Sequence, residues 1–268
     1  MKCALITGAT DGIGRETARQ LLAGGWRVLV HGRNQTKAVE HAAALARESG
    51  SAQVTAVWGD LSDMAQVVEL AHQVRAQAPV LDVLINNAGV YERRRRLTAD
   101  GLETTLAVNH FAPFLLTRRL LPALGAAAAA RVVNVSSIAH QNGSLDLSDL
   151  TFARGYDAFD VYAATKLANI LFTLALAKRL AGTRITANAL HPGVIGTKLL
   201  HAAFNIKGAT VGEGARTSVY LATSDKVSGI SGKYFVDCRE TRSSRLARDV
   251  DLAERLWAVS EQTLTAFL

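Results

Sequence analysis

The chain of 268 residues is 49% hydrophobic and 20% charged, which is typical of a globular protein and excludes a disordered one. Its two cysteines cannot form a disulfide framework, and Met1-Lys2 leads directly into a strand-like run, so we expect a cytoplasmic protein without a signal peptide. The net charge of +7 comes without a nucleic-acid motif, so we expect no nucleic-acid partner.

Predicted strands alternate with amphipathic helices along the whole chain. The strands are continuous apolar runs at Ala4–Thr7, Arg27–His31, Gln53–Trp58, Val80–Asn86, Arg131–Ser136, Arg184–Leu190 and Gly232–Val236. The helices between them are predicted at Gly14–Ala23, Gln35–Ser49, Asp63–Ala78 and Ala163–Leu180, and the alanine run Ala126–Ala130 is expected to finish another. This alternation predicts right-handed βαβ units in an α/β, doubly wound parallel sheet of about seven strands with helices on both faces.

The chain shows no linker, repeat or break in composition, so residues 1–268 are predicted to form a single domain. No apolar stretch reaches about 18 residues without a charge or a breaker, so we expect no membrane span. Residues 245–268 are predicted to form a C-terminal helix, in which Leu252, Leu256, Trp257, Val259 and Leu264 are core or subunit contacts.

The first strand runs into the glycine-rich turn Thr7-Gly8-Ala9-Thr10-Asp11-Gly12-Ile13-Gly14, and a helix follows. Glycines let the backbone approach a pyrophosphate closely, and the helix N-terminus presents N–H groups and partial positive charge to it. The GxxxGxG spacing is not the common GxGxxG, and other tight turns use glycine too. Because the turn follows the first strand, we expect it to bind a dinucleotide through Gly8, Thr10, Asp11, Gly12, Ile13 and Gly14.

The end of the second strand decides between two nicotinamide cofactors. A carboxylate there would bind the ribose diol of NAD(H), but His31-Gly32-Arg33-Asn34 contains no acid. Arg33 instead offers a planar guanidinium that suits a 2′-phosphate. The sequence therefore favours NADP(H) over NAD(H), with Arg33 and Asn34 at the adenosine end.

Two further loops follow strands three and four. Asp60 could bond the adenine amino group while Leu61 packs beside it, and the small residues of Asn87-Ala88-Gly89 would let the chain pass close to a ribose. Each loop by itself is also an ordinary turn. Because ligands of open α/β sheets bind at the carboxyl ends of the strands, their joint position favours a cofactor site.

Tyr162 and Lys166 lie four residues apart on a predicted helix and therefore project from the same face. A free phenol has a pKa of about 10, and a nearby cation lowers it, so the pair predicts a general acid or base. The same spacing is common on exposed helices. Ser137 ends the fifth strand, where its hydroxyl could donate to a substrate carbonyl, and Asn109 is either a satisfied core asparagine or part of a proton path.

Taken in order, these motifs resemble the short-chain dehydrogenase/reductase family. They are Thr7-Gly8-x-x-x-Gly12-x-Gly14, Asp60-Leu61, Asn86-Asn87-Ala88-Gly89, Asn109, Ser136-Ser137, Tyr162-x-x-x-Lys166 and His191-Pro192-Gly193. The resemblance implies a Rossmann-type fold and hydride transfer between a nicotinamide and a small-molecule carbonyl/alcohol pair.

The resemblance also implies a catalytic tetrad of Asn109, Ser137, Tyr162 and Lys166, and no metal ligand. Tyr162 would be the acid or base, and Ser137, favoured over Ser136, would polarise the carbonyl. Lys166 would lower the tyrosine pKa and hold the nicotinamide ribose, while Asn109 would anchor a water that links Lys166 to solvent. The residues expected near the nicotinamide carboxamide are Pro192, Gly193, Val194 and Thr197.

A narrower resemblance is to the branch of retinol dehydrogenases and WW-domain oxidoreductases. It is carried by the segments Leu145–Leu150, Gly229–Asp237 and Leu256–Ser260. That branch is mostly NADP(H)-linked and acts on lipophilic aldehydes, ketones and alcohols. We expect neither an N-terminal membrane anchor nor a WW domain in this chain, which leaves a retinoid substrate open. The substrate loop is expected within 192–225, where Leu199–Ile206 could line the pocket or pack as a small lid helix.

Three alternatives stay open at this stage. One is a nucleotide-binding sensor or scaffold that uses the same fold without turnover, although a pure binder has no need for Tyr162 and Lys166 together. Another concerns the cluster Arg93–Arg96, which we interpret as a solvated loop but which could contact an anionic ligand, lipid headgroups or, on net charge alone, a nucleic acid. The last is the oligomeric state, for which a homodimer or homotetramer is a candidate because the helix of Tyr162 often forms dimer contacts in this family.

Overall fold

A computed structural model describes residues 1–203 and 207–268 of the chain. Within these residues, eight strands form one sheet in the order β3-β2-β1-β4-β5-β6-β7-β8. The strands are β1 Cys3–Ile6, β2 Arg27–Gly32, β3 Val54–Trp58, β4 Val83–Asn86, β5 Ala130–Val135, β6 Ile185–His191, β7 Tyr234–Val236 and β8 Arg239–Glu240. The neighbours from β3 to β7 are parallel, and β8 pairs antiparallel with β7. The predicted doubly wound sheet of about seven strands is confirmed, with the two-residue β8 as an addition.

Helices connect the parallel strands. They are α1 Gly12–Ala23, α2 Gln35–Ser49, α3 Met64–Gln77, α4 Thr104–Leu106, α5 Ala112–Gly125, α6 Ala158–Arg179, α7 Lys198–Ala203, α8 Val211–Thr223 and α9 Val250–Thr263. A π-helical turn, Ala107–Phe111, joins α4 to α5. Short polar side chains cap several of the N-termini: Asp11 caps α1, Asn34 caps α2 and Asp157 caps α6 by accepting backbone N–H groups.

Two hydrophobic clusters lie on the two faces of the sheet. Leu5 and Leu29 belong to one cluster, and their strand neighbours Ile6 and Val30 belong to the other. Successive side chains of a strand point to opposite faces, so both faces of β1 and β2 must be apolar. This double burial explains why the central strands read as continuous apolar runs.

The strand order places a crevice above the carboxyl end of β1. From β1 the chain moves outward to β2 and β3, and it then returns to the other side of β1 to form β4 and β5. The loops after β1 and β4 therefore diverge to opposite faces, and open α/β sheets bind ligands at such a switch point. The predicted glycine turn and the Asn87-Ala88-Gly89 loop are these two loops.

Several predicted boundaries are wrong, since α6 begins at Ala158 and not Ala163 and β4 begins at Val83 and not Val80, and two further ones have an identifiable cause. Helix α5 ends at Gly125, and Ala130 belongs instead to β5, where it pairs with Ile185 of β6. The α-helical part of the C-terminus covers Val250–Thr263 and not 245–268, because Asp249 caps it by accepting from the amide of Leu252. Helix propensity alone could not place either end, since one depends on strand pairing and the other on a cap.

Helix α6 is long and apolar enough to cross a membrane by length and composition, and 83% of its most apolar window is buried in this fold. It packs against β5 and β6 on one side and α9 on another. Burial among these elements accounts for its apolar composition. The absence of a membrane span stays a prediction.

Candidate active site

The predicted site residues line one cavity at the carboxyl edge of the sheet. Its volume is about 600 Å³, within the range of small-molecule sites. Its walls include Gly8 and residues 10–14 of the glycine turn, the loops after β2, β3 and β4, the end of β5, part of α6 and most of the chain from His191 to Leu200. Of the predicted site residues, Asn34 and Asn109 are not among those that line it.

The glycine turn needs its glycines for two different reasons. Gly8 and Gly12 have positive φ angles of 64° and 56°, a conformation that favours glycine. At Gly14 the reason is space, because a Cβ there would lie 2.4 Å from the Gly8 carbonyl oxygen and from Nδ2 of Asn87. The start of α1 is thereby held tightly against the loop that follows β4.

Asn87 positions this turn, a role that its sequence motif did not reveal. Its side-chain amide donates to the carbonyl of Thr7 at 2.8 Å, and its backbone amide donates to the Thr7 hydroxyl at 3.0 Å. The amide of Ala88 donates to the same hydroxyl at 3.1 Å. Asn87 and Ala88 therefore fix the loop after β4 to the end of β1, on the wall of the cavity.

His31 supports the turn from beneath and was also missed by the sequence analysis. It is 3% exposed, accepts from the Gly8 amide at Nδ1 (3.1 Å) and donates through Nε2 to the Gly59 carbonyl (2.9 Å). Burial lowers the pKa of His31 to about 4, so the ring is neutral at neutral pH and can keep this donor and acceptor pattern. The one signal for this role in the sequence is a histidine within an otherwise apolar strand.

Arg33 and Asp60 meet at the adenosine end of the cavity. Arg33 is 72% exposed, and its Nε lies 4.0 Å from Oδ2 of Asp60. The other carboxylate oxygen of Asp60 accepts from the amide and hydroxyl of Ser62. Asn34 accepts from the amide of Lys37 as the cap of α2. The loop after β2 contains no acidic residue. The structure instead places Asp60, from the loop after β3, close to Arg33.

Tyr162 and Lys166 lie on one face of α6 and are buried, with 7% and 4% exposure. Nζ of Lys166 donates to the carbonyl of Val135 at 3.1 Å and lies 5.5 Å from the centre of the Tyr162 ring. The ammonium is thus anchored to the end of β5. Tyr162 lies between this cation and Ser137.

The protonation of this pair differs from the sequence-based expectation. Burial raises the pKa of Tyr162 to about 12, while a hydrogen bond with Ser137 acts in the opposite direction. Burial also lowers the pKa of Lys166 to about 8. A lowered phenol pKa was expected, but desolvation is the larger effect because both groups are enclosed. Tyr162 therefore holds its proton at neutral pH and can act as an acid.

The two adjacent serines make different contacts. Ser136 is 2% exposed and donates its hydroxyl to the carbonyl of Lys166 at 2.7 Å. The Ser137 oxygen accepts from the amide of Ala139 at 3.2 Å, and this hydroxyl is the one that bonds Tyr162. Ser136 thus ties β5 to α6, whereas Ser137 stands beside the phenol.

Asn109 is a fully buried member of the π-helical turn, and its side chain is satisfied as the core interpretation expects. Oδ1 accepts from the amide of Val90 at 2.8 Å, and Nδ2 donates to the Val90 carbonyl and the Thr165 hydroxyl at 3.0 Å each. Its backbone carbonyl accepts from Nδ2 of Asn169 at 2.6 Å. The water expected between Asn109 and Lys166 stays a prediction.

The predicted nicotinamide residues lead into a lid over the cavity. Gly193 has a φ of 97°, and a Cβ at Gly12 would lie 3.4 Å from Cγ2 of Thr197. The next residue, Lys198, begins α7 and forms an ion pair with Oδ2 of Asp11 at 2.6 Å. This contact joins α7 directly to the glycine turn, and no sequence pattern pointed to it.

An apolar group surrounds the phenol on the other side of the cavity. Tyr162 packs with Ala139 and Ala163, and the half-buried Tyr91, Phe159 and Leu199 pack against them. The rings of Tyr91 and Tyr162 are 5.7 Å apart. The sequence left open whether this segment lines the pocket or packs as a small helix. Leu199 does both, since it lies in the small helix α7 and also lines the cavity. Phe204, Asn205 and Ile206 of the predicted substrate loop lie outside the described residues.

The basic cluster Arg93–Arg96 is an exposed loop, and two of its side chains bond within the fold. Arg93 donates to the carbonyl of Ala202 in α7 at 2.8 and 3.0 Å, and Arg95 donates to the carbonyl of Thr151. Part of the cluster thus contacts the end of α7, whereas Lys198 lies at its start. Among residues 1–203 and 207–268, His, Cys, Asp and Glu side chains form no group of three that could hold a metal ion.

The residues present fit a nicotinamide dinucleotide. Glycines leave the backbone bare where it borders the cavity: a Cβ at Gly89 would lie 3.5 Å from both Nζ of Lys166 and Oδ1 of Asn109. The N-terminus of α1 faces the cavity at one end and a buried ammonium lies at the other. These are the groups that a pyrophosphate and a ribose diol require.

The family model described as short chain dehydrogenase matches residues 2–207. Retinol dehydrogenase 12 of Bos taurus is 43% identical over 98% of this chain and 86% of its own length. Human retinol dehydrogenase 14 is 40% identical over 97% of this chain and 85% of its own length.

Solved structures share the same architecture. A crystal structure of an uncharacterized protein from Mycobacterium paratuberculosis has a TM-score of 0.83 and 34% identity, covering 99% of this chain and 94% of that one. The 3-ketoacyl-(acyl-carrier-protein) reductase of Brucella melitensis, solved with NADH, has a TM-score of 0.70 and 26% identity over 87% of this chain and 95% of that one. Pseudomonas aeruginosa RhlG, solved with NADP, has a TM-score of 0.72 and 27% identity over 87% of this chain and 93% of that one. Both cofactors thus occur among the similar structures.

Proposed function

The chain belongs to the short chain dehydrogenase family, and from this premise we propose that it is an NADP(H)-dependent oxidoreductase that interconverts a lipophilic carbonyl compound and its alcohol. One observation carries the proposal: a single cavity joins the glycine turn to the phenol of Tyr162, which is hydrogen bonded with Ser137 and lies beside the buried Lys166. A dinucleotide site and a proton donor that share one cavity are what hydride transfer to a carbonyl requires.

The proposed chemistry assigns a separate task to each side chain. A bound nicotinamide supplies the hydride that the carbonyl carbon receives. Tyr162, whose pKa is raised to about 12, donates its proton to the carbonyl oxygen, so that the carbonyl becomes an alcohol. Ser137 accepts from the Ala139 amide, which leaves its own proton to bond the same oxygen. In the oxidative direction Tyr162 receives the proton instead.

The preference for NADP(H) rests on Arg33. Its exposed guanidinium lies at the end of β2, where a carboxylate would bind the ribose diol of NAD(H), and it borders the cavity. The nearby Asp60 lies in the loop after β3 and accepts hydrogen bonds from Ser62 at one of its oxygens. Arg33 is therefore the group that we assign to the 2′-phosphate.

A lipophilic substrate is proposed from the apolar surroundings of the phenol. Tyr91, Phe159 and Leu199 pack around Tyr162, and Ile138 and Val194 line the cavity with exposures of 42% and 43%. Burying such surface against an apolar substrate is favourable by about 25 cal/mol per Å². The named activity of the retinol dehydrogenase relatives agrees with a substrate of this class.

A catalytically silent sensor is the weaker proposal. A nucleotide binder needs the glycine turn and Arg33, but it has no use for a buried phenol hydrogen bonded with a serine. Burying two polar side chains costs free energy, and here they face the cavity. Their convergence favours turnover.

The test is a panel of carbonyl compounds with NADPH, followed by absorbance. We expect oxidation of NADPH with all-trans-retinal and decanal, and little with glyceraldehyde. Tyr162→Phe should abolish turnover while the NADPH dissociation constant, measured by fluorescence, stays unchanged, because the variant removes one hydroxyl. Full activity of the variant, or a wild-type protein that binds NADPH but turns over no compound of the panel, would contradict the proposal.

We also propose a cytoplasmic location, because Cys3 and Cys238 are both free thiols, as a reducing compartment maintains them. Fractionation of the source cells, followed by immunoblotting, tests this location.

Sedimentation of the purified protein distinguishes a monomer from the homodimer or homotetramer that the family resemblance leaves open.

A further inference from the structure

Two buried histidines bond the peptide group that carries Ser137. The carbonyl of Ser137 accepts from Nδ1 of His140 at 2.7 Å. The N–H of the same peptide group belongs to Ile138 and donates to Nδ1 of His191 at 3.2 Å. Both polar atoms of one peptide group are thus held by imidazoles from different parts of the fold, since His140 lies in the turn after β5 and His191 ends β6.

The protonation pattern of His140 follows from its partners. Its Nε2 lies 3.1 Å from the backbone amide of Ser244, and an N–H can only donate. Nε2 is therefore the acceptor, and Nδ1 carries the proton that bonds Ser137. His140 is fully buried, its pKa is lowered by burial, and its ring packs edge-on against Tyr234 at 4.9 Å.

His191 needs the complementary pattern. Because its Nδ1 accepts from Ile138, its proton lies on Nε2. Burial lowers the pKa of His191 to about 4, and His140 acts in the same direction, so both rings are neutral at neutral pH. Neutral rings can maintain one donor and one acceptor each.

The held peptide group determines where the Ser137 hydroxyl points. Ser137 is extended, with φ −157° and ψ 161°, and its hydroxyl accepts from the amide of Ala139, two residues along the same turn. Rotation of the Ser137–Ile138 peptide group would move Ala139 and break this bond. The hydroxyl would then lose its alignment with Tyr162.

We propose that His140 and His191 are positioning residues that hold the Ser137–Ile138 peptide group and thereby aim the Ser137 hydroxyl at the reacting oxygen. This inference rests on the proposed function for the role of Ser137. It also brings the C-terminal region into the site, because Ser244 lies outside residues 2–207, which the family model matches. His140 thus contacts both that region and the Ser137 peptide group.

Two variants of His140 separate hydrogen bonding from packing. His140→Asn keeps an N–H donor at the position of Nδ1 but loses the ring, whereas His140→Phe keeps a ring against Tyr234 but loses both side-chain hydrogen bonds. We expect kcat with all-trans-retinal to fall at least about tenfold in His140→Phe and to stay within about threefold of wild type in His140→Asn. The NADPH dissociation constant should stay unchanged in both. Equal losses in the two variants, or a wild-type kcat in His140→Phe, would overturn the proposal.

A double-mutant cycle tests whether His140 acts through Ser137. Adding His140→Phe to Ser137→Ala should cost nothing further, because the hydroxyl that the histidine aims is already absent. A further loss of the size seen in the single variant would show that His140 acts by another route.

Hydrogen exchange gives a readout that does not need turnover. Backbone amides of residues 136–142 should exchange faster in His140→Phe than in wild type, and at the wild-type rate in His140→Asn. If wild type turns over no carbonyl of the panel, the proposed function fails while this measurement still decides the positioning role. Unchanged exchange in His140→Phe would refute that role.

Discussion

Burial raises the pKa of the Tyr162 phenol, whereas its hydrogen bond with the Ser137 hydroxyl lowers that pKa. Burial is the larger effect. A phenol that keeps its proton is suited to donate it to a carbonyl oxygen during reduction. Lys166 is buried too, and its pKa is lowered to about 8 for the same reason. At neutral pH Tyr162 keeps its proton, and Lys166 is the group of this pair that lies close to a change of protonation.

The affinity for NADPH should also depend on whether the side chain of Lys166 is protonated. The pKa of Lys166 lies near 8, below that of a free lysine, so the ammonium that we expect to hold the ribose hydroxyls is present below pH 8 and lost above it. The dissociation constant of NADPH should therefore rise by up to about tenfold per pH unit above pH 8. Fluorescence titration from about pH 7 to pH 9.5 measures this dependence.

The matched variant is Lys166→Gln, which cannot titrate. Its affinity for NADPH should be weaker than that of wild type at neutral pH and flat across the same interval. A wild-type affinity that stays constant up to about pH 9.5 would mean that Lys166 keeps its proton or does not contact the cofactor.

Arg33 carries the second prediction for a single residue. Arg33→Ala should raise the NADPH dissociation constant about tenfold or more and leave that of NADH nearly unchanged, because only NADPH carries the 2′-phosphate. Arg75→Ala, which removes another exposed arginine from the end of α3, serves as the control for net charge. Equal losses for the two cofactors in Arg33→Ala would rule out the assignment to the phosphate.

At the scale of elements, helix α7 is tied to the rest of the site at both ends. Lys198 at its start pairs with Asp11 in the glycine turn, and Arg93 bonds the Ala202 carbonyl near its end. The hydrogen bond from Lys198 is the main cause of the lowered pKa of Asp11. The first three residues of α7 line the cavity, so we expect cofactor exchange to require one of these contacts to open.

Breaking the contact between Lys198 and Asp11 should therefore speed cofactor release. Lys198→Ala is expected to raise the dissociation rate of NADPH about two- to fivefold, the size of effect that an exposed ion pair can have, and added salt should reduce the difference. Stopped-flow fluorescence measures the rate.

Lys233→Ala is the matched control, since Lys233 forms a comparable exposed pair with Glu240 beside β7 and β8. It should leave the rate of NADPH release unchanged. If Lys198→Ala releases NADPH at the wild-type rate, the ion pair with Asp11 does not limit opening of α7.

At the scale of the whole molecule, polar side chains inside the fold connect distant parts of the chain. Helix α9 packs on α6 through Trp257 and Phe172, whose rings are 6.0 Å apart, and Ser260 bonds His110 next to Asn109. His31 and His191 lie under the two ends of the cavity. Histidines that are buried in a neutral form make the stability of the fold sensitive to acid.

Stability should fall as the pH drops from about 6.5 towards 4. Burial lowers the pKa of His31 and His191 to about 4 and that of His110 to about 3, below the value of about 6.5 in the unfolded chain. The unfolded state therefore binds more protons in this interval, so these residues contribute stability that is complete above pH 6.5. Below pH 6.5, the contribution of each histidine to the free energy of unfolding should fall by about 1.4 kcal/mol per pH unit.

Guanidinium unfolding at pH 7, 6 and 5 measures the free energy of unfolding. His110→Gln should reduce the slope of the free energy of unfolding against pH by about the contribution of one histidine. His72→Gln, at an exposed position on α3, should leave this slope unchanged. A free energy of unfolding that does not change between pH 7 and 5 would contradict the prediction.

Features encoded by neighbouring residues could be predicted from the sequence. The glycine turn is one contiguous segment, and Tyr162 and Lys166 share a helix face because helical geometry places residues four apart together. The parallel sheet follows from the buried strands, whose two faces must both be apolar. The fold was therefore identifiable without a structure, although the helix end at Gly125 was not, and the catalytic role of the tetrad stays a prediction.

Contacts between distant residues could not be predicted in this way. Ser244 and His140 are 104 residues apart, and Asn169 and Asn109 are 60 apart. Histidine and asparagine are as common in surface loops as in such networks, so their identity alone carries no signal. The lowered phenol pKa that we expected was wrong for a related reason, because desolvation depends on everything packed around the ring.

The sequence by itself determined the class of fold and the family, and it predicted the residues of the site, because each depends on short-range patterns of glycine, apolar and polar residues. Only the tertiary structure decided how those residues are held: the direction of the Tyr162 pKa shift, the pair of Lys198 with Asp11, and the two histidines on the Ser137 peptide group. Burial and hydrogen bonding are properties of three-dimensional neighbours, and most of these neighbours come from other parts of the chain.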